Sequence, residues 1–170
     1  MDTCLKKLKL ALESAIEGMS PEQMSWHPPE KWCATEVLEH LYLTYTGTIK
    51  GFERLLQSGK PTATSPSMKQ RWQTLLVIGL GYLPAGRKAP RVAEPRGLAS
   101  EKVRTEFATK IAAMDAIIQQ CETLFGRGTP LLDHPILGPL SATQWRKFHV
   151  LHGMHHRKQL MRLRKAVGNN

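Results

Sequence analysis

Three histidines carry the chemistry most open to reading in this chain: His40, His152 and His156. The last two stand four residues apart in Phe148-His149-Val150-Leu151-His152-Gly153-Met154-His155-His156-Arg157-Lys158-Gln159. On a helix that spacing puts both imidazoles on one face, one turn apart. At about 100° per residue, Trp145, Phe148, Gln159 and Leu163 all fall within about 40° of His152, so this face is also the apolar one. Imidazoles in a buried stripe need partners, because an unpaired buried polar group costs roughly 1–3 kcal/mol. One divalent metal satisfies several imidazoles at once. The plain alternative is a set of core histidines hydrogen-bonded to each other or to carbonyls. Three protein ligands with the remaining positions open is the pattern of catalytic metal sites rather than structural ones.

His149 and His155 flank the pair on either side, and ligand status is not expected of either. Gln159 is placed to orient a ligand or a bound water, and His155 is the weaker candidate for such a supporting role. The run is not a zinc-protease motif: the glutamate of HExxH is missing, and no Asp or Glu occurs from 141 to 170. A general base must come from elsewhere or from the metal. Glu36 and Glu39 flank His40 at other helix angles, where a solvated face is expected. Gly79-Leu80-Gly81 is followed by Tyr-Leu-Pro and cannot be a dinucleotide loop. Cys33, just before a helix, reads as a buried structural cysteine. Trp26, Trp32, Trp72 and Trp145 lack the basic interleaving of a stacking platform for single strands, so core packing is expected of them.

Four long helices must position the three histidines. The first spans about Asp2 to Met19, with Leu5, Leu8, Leu12, Ala15 and Met19 at helical spacing. Ser20-Pro21-Glu22-Gln23 reads as a capped single turn. The second helix spans about Thr35 to Leu56, with Val37, Leu41, Tyr45, Ile49, Phe52 and Leu56 inward and His40 bordering that stripe. The third spans about Ser100 to Phe125 through Val103, Phe107, Ile111, Met114, Ile118, Cys121 and Phe125. The fourth opens at the capping box Ser141-Ala142-Thr143-Gln144 and runs to about Val167. Residues 58–100 are the least regular: an extra helix over Pro66 to Leu80 carrying Trp72, Leu75, Leu76 and Ile78, then a linker punctuated by Gly81, Pro84, Gly86, Pro90, Pro95 and Gly97. Residues 126–139 read as a loop, and no strand is expected. A crossover this long suits a four-helix bundle whose second and third helices run parallel.

The 170 residues suit a single domain over 1–170 with a sizeable core. The N-terminal apolar run is broken by Lys6, Lys7 and Lys9, which does not fit a signal peptide, and the longest apolar stretch is too short to span a bilayer. A cytoplasmic protein is expected. Cys4, Cys33 and Cys121 are odd in number and far apart, which argues against a disulfide framework. The net charge of +10 raises nucleic acid as a partner. However, Arg157, Lys158, Arg162, Arg164 and Lys165 lie opposite the histidines and suit a solvated helix end, so no nucleic acid is expected.

Two stretches together resemble the DinB superfamily. One is Met24-Ser25-Trp26-His27-Pro28-Pro29-Glu30-Lys31-Trp32-Cys33-Ala34-Thr35-Glu36-Val37-Leu38-Glu39-His40-Leu41, similar to a tryptophan–proline–tryptophan pattern before a helix with a His-Leu pair. The other is His134-Pro135-Ile136-Leu137-Gly138-Pro139-Leu140, then Gln144-Trp145, then His152 with His155-His156 and Gln159. The resemblance implies an all-α four-helix bundle in up-down-down-up order. It implies a divalent metal, zinc or nickel, on His40, His152 and His156, and in some members a homodimer. Several members are thiol S-transferases that use a low-molecular-weight thiol, and others are hydrolase- or isomerase-like. The expected function is thiol S-transferase-like chemistry on a small electrophilic substrate. The alternatives are a metal-dependent hydrolase and a non-enzymatic bundle that binds metal or a small ligand.

Overall fold

A computed structural model describes residues 1–84 and 88–168. Helix α1 (Thr3–Ile16) starts where the Asp2 carboxylate accepts from the amides of Cys4 and Leu5. It buries Leu5, Leu8, Leu12 and Ala15 as the spacing predicts. It stops short of Met19 because the chain turns through Gly18 at φ +75°, a left-handed conformation that glycine adopts without strain. The short α2 (Pro21–Ser25) carries the Ser20/Gln23 capping box. Helix α3 (Ala34–Ser58) has a reciprocal box between Cys33 and Glu36 and ends at Gly59 in a left-handed cap.

The extra helix is shorter than its pattern suggests. Helix α4 (Met68–Thr74) continues into a single π turn, Leu75–Gly79. Ile78 and Val77 are buried, but Trp72 is 62% exposed, and Leu75 and Leu76 are exposed too. The expectation of a core Trp72 is therefore overturned: α4 is only seven residues long and buries none of its side chains. Trp145 is buried, whereas Trp26 and Trp32 pack against the core from its margin. Further along, Arg91–Ala93 form one 3-10 turn that packs on α3. Gly86 of the expected linker lies outside the described residues.

Helix α5 (Ser100–Phe125) buries Val103, Phe107, Ile111, Met114, Ile118 and Cys121 along the expected seam. The long helix α6 (Ala142–Gly168) closes the bundle. Helix α3 packs chiefly on α5, and α1 on α6. Gly153 lets α1 come close, since a Cβ there would meet the Leu8 side chain at 2.6 Å. Helix accounts for 68% of the described residues, in agreement with the expected helical bundle.

One part of the expectation needs correction. Residues 126–139 are not all loop: β1 (Pro130–His134) and β2 (Gly138–Ser141) form an antiparallel hairpin with a bulge between Pro130 and Leu132. The strands are short and contain Pro139, and the bulge breaks their alternation, so they carry little period-two signal. The hairpin is pinned from outside. Leu132 O accepts from the Trp145 indole at 3.2 Å. Gly138 has φ +75°, and a Cβ there would strike Gln70. Among the described residues no helix is long and apolar enough to cross a membrane, and all three cysteines are unpaired.

Candidate metal centre and its cavity

Helix α3 supplies His40, and α6 supplies His152 and His156 one turn apart. His40 and His156 are buried, and His152 is half-buried. Their Nε2 atoms converge. His152 Nε2 lies 3.1 Å from His40 Nε2 and 3.1 Å from His156 Nε2. One ligand atom from each histidine falls within a group less than 4.8 Å across.

The protons decide what this cluster can do. His40 Nδ1 lies 2.7 Å from the carbonyl oxygen of Ala93, which can only accept, so Nδ1 donates and Nε2 of the neutral ring is bare. His156 Nδ1 lies 3.1 Å from Gln159 Oε1 and donates in the same way, leaving its Nε2 bare. His152 Nε2 therefore faces two lone pairs, and one proton can satisfy only one of them. Its own Nδ1 is buried with no partner among the described residues. Without a cation the cluster has an unsatisfied nitrogen whichever tautomer His152 takes. A divalent ion that accepts three lone pairs removes the conflict at the Nε2 atoms, while His152 Nδ1 keeps no partner among the described residues. Zinc with bonds of about 2.0–2.1 Å spaces tetrahedral ligand atoms roughly 3.3 Å apart, close to the spacing here.

Electrostatics point the same way. Burial lowers the pKa of His40, and burial and the neighbouring His40 hold His156 down at about 3. His152 is lowered well below the usual value by burial, then by His156 and His40. All three rings are neutral at pH 7, the form that binds metal. The ring of His152 stacks on Phe148, with centroids 5.3 Å apart and planes at 13°.

Other predicted residues take varied roles. Gln159 contacts the candidate ligand His156 directly. His155 lines the adjacent cavity but makes no hydrogen bond to the cluster among the described residues. His149 is fully buried beneath it, with Nε2 3.2 Å from the Thr48 hydroxyl. Glu39 corrects the expectation of a solvated face. It is 1% exposed, and its carboxylate accepts from the amides of Arg96 and Gly97. It ties the crossover to α3 one residue before His40, a tertiary role that helix angles alone do not reveal. Glu36 is half-buried and accepts from Cys33 N. Cys33 is buried, as expected, and burial pushes its thiol pKa up. His27, Cys33 and Glu36 form a second cluster that spacing did not suggest, with the carboxylate already engaged.

A cavity of about 510 Å³ opens beside the three histidines. The crossover, the hairpin, α3 and α6 all contribute to its walls, which are largely apolar, with Leu43, Val77, Leu83 and Ile136 among them. Two residues here have no role in the sequence reading, although His134 falls in a stretch that carries the family resemblance. Ala93 supplies its backbone, which no side-chain pattern can signal. His134 sits on the hairpin, which was read as loop.

A family model described as "Protein of unknown function (DUF1569)" matches residues 5–163. No curated protein and no solved structure gives a significant match.

Proposed function

The chain belongs to the DUF1569 family, and from the geometry of its site we propose a divalent-metal-dependent enzyme of DinB type. The observation that carries this reading is the convergence of three imidazoles, two buried and one half-buried, on the wall of a large apolar cavity. His40, His152 and His156 hold the ion, with zinc or nickel suited to three imidazoles. A divalent ion there acidifies a bound thiol or water and supplies Lewis-acid chemistry. The Ala93 carbonyl and Gln159 fix two of the rings, and Phe148 braces the third. The apolar walls take up the body of a small substrate and exclude water. The favoured reaction is thiol S-transfer: a low-molecular-weight thiol loses its proton to solvent, and its sulfur bonds to an electrophilic carbon as the bond from that carbon to its leaving group breaks and the group departs with the electron pair. The reading includes the up-down-down-up helix order, a single domain, a cytoplasmic setting and a homodimer.

Two alternatives fare less well. A free Asp or Glu beside the ion would favour the metal-dependent hydrolase. The cavity has only Asp133 among its described lining residues, and both its oxygens accept from Thr64. A purely structural metal site needs no cavity, and this one has a large one.

Elemental analysis of protein purified without a chelating tag, beside the His40→Ala, His152→Ala and His156→Ala variants, tests the site. The expected result is about one equivalent of zinc or nickel, lost in each variant. No metal even after anaerobic reloading would overturn the reading. With metal established, loss of a thiol alongside 1-chloro-2,4-dinitrobenzene, with chloride released, tests the chemistry.

A further inference from the structure

His134 closes strand β1 and is 9% exposed. Its Nδ1 lies 3.1 Å from the backbone nitrogens of both Ile136 and Leu137, and both N–H groups donate to it. A nitrogen that accepts twice carries no proton, so the neutral ring carries its proton on Nε2. Nε2 has no partner among the described residues, yet it is not sealed in, and the ring lines the cavity. The ring is held 4.3 Å from Phe148 and 5.5 Å from Trp145, centroid to centroid. Because Phe148 also stacks on His152, this donor stands one aromatic ring away from the three-histidine cluster. Burial lowers the pKa of His134 to about 4, which keeps the ring neutral.

The cavity also has a sign. Lys50 and Arg54, one turn apart on α3, line it together with Lys88, and none of them pairs with a carboxylate among the described residues. The lining carboxylate, Asp133, is taken up by Thr64. The space therefore offers apolar walls, a basic border and one fixed neutral donor.

We propose that this cavity binds a small molecule with an apolar body and a carboxylate-type oxygen headgroup, and that the Nε2–H of His134 is the donor to that oxygen. The proposal rests on the reading of the cavity as the substrate pocket, but not on metal being bound.

Decanoate is the probe, titrated into the full chain as purified and after zinc loading, with histidine rings labelled with ¹⁵N. His134 should show the Nε2–H tautomer, and decanoate should shift that nitrogen. His134→Asn keeps an acceptor for the amides of Ile136 and Leu137 but has no donor at the Nε2 position. It should weaken decanoate binding about tenfold or more, with metal stoichiometry unchanged. Lys50→Met with Arg54→Met should weaken it further and reduce its salt dependence. An Nδ1–H tautomer, equal affinity in His134→Asn, or no decanoate binding by the wild type would each overturn the proposal. The ring spectra decide even if the variant does not fold. Decanoate bound by a protein that takes up no metal would support this inference while the metal reading fails.

Discussion

The Nδ1 atom of His40 lies 2.7 Å from the carbonyl oxygen of Ala93, so a one-turn 3-10 segment in the crossover sets the tautomer of a histidine in the middle of α3. Glu39, the preceding residue of α3, binds the amides of Arg96 and Gly97 from the same crossover. The irregular segment is thereby fastened at that turn and just after it, and it orients a candidate ligand. Replacing residues 91–93 with three glycines frees the turn. Metal affinity should fall about 10–100-fold, the range for removing a group that orients a ligand. The far-UV circular dichroism should barely change. A chelator competition titration measures the affinity, and an unchanged value would count against this role.

Gln159 does for His156 what Ala93 does for His40. Gln159→Leu removes the acceptor from His156 Nδ1. The ring can then flip tautomer and present a protonated Nε2 to the cluster. Metal should bind about 10–100-fold more weakly, while Gln159→Glu, which keeps an acceptor, restores most of the affinity. The same competition titration reads both variants.

In the metal-free protein the imidazole of His152 is a burden, because its Nδ1 has no partner among the described residues and its Nε2 meets two lone pairs. His152→Leu should therefore cost little stability in the presence of a chelator, far less than the 2–5 kcal/mol typical of truncating a core side chain. Added zinc should raise the melting temperature of the wild type and leave that of His152→Leu where it was. Equal zinc shifts in the two proteins would remove His152 from the site.

The His152/His156 pair and the four long helices could be read from sequence because both rest on local periodicity, whereas His40 only borders its stripe and joins the pair through the family resemblance. His152 and His156 share a face through their spacing of four, and Val103 to Cys121 mark a buried seam in the same way. What escaped was set by contacts distant in sequence. The burial of Glu39 depends on two amides 57 and 58 residues away. The hairpin depends on Trp145 and Gln70 holding its strands, since Pro139 and the bulge leave no alternation to detect. The cavity follows from both, so its lining, His134 included, could not be placed from spacing.

Buried histidines away from the cluster predict an acid limit to stability. Burial holds His134 at about 4, and burial and then the neighbouring His134 hold His149 at about 3. Both folded values lie below the unfolded value of about 6.5. The unfolded chain therefore takes up these protons first as pH falls. The stabilisation is complete above about pH 6.5 and is lost progressively toward pH 4 and below. Each group contributes a slope of about 1 kcal/mol per pH unit in that window. Urea unfolding in chelator at pH 7 and pH 5.5 should show the loss. His149→Gln, which cannot take up a proton, should reduce the slope.

Arg146 of α6 joins two carboxylates of α5. Its Nε lies 2.8 Å from Asp115 Oδ1, and Nη1 binds Glu122. Asp115 is 1% exposed and also accepts from the Asp2 amide at the start of α1, so one buried carboxylate ties three helices together. Arg146→Met keeps most of the packing volume but leaves that charge uncompensated. The loss should be about 3–5 kcal/mol, the range for breaking one side of a buried pair. Asp115→Asn in the same chain removes the stranded charge and should recover much of it. A double-mutant cycle in urea measures the coupling, and additive single effects would mean that this pair contributes nothing beyond its parts. Arg146 stands six residues before His152 on α6 and about 120° around the helix from it, so metal stoichiometry should stay constant through the whole cycle.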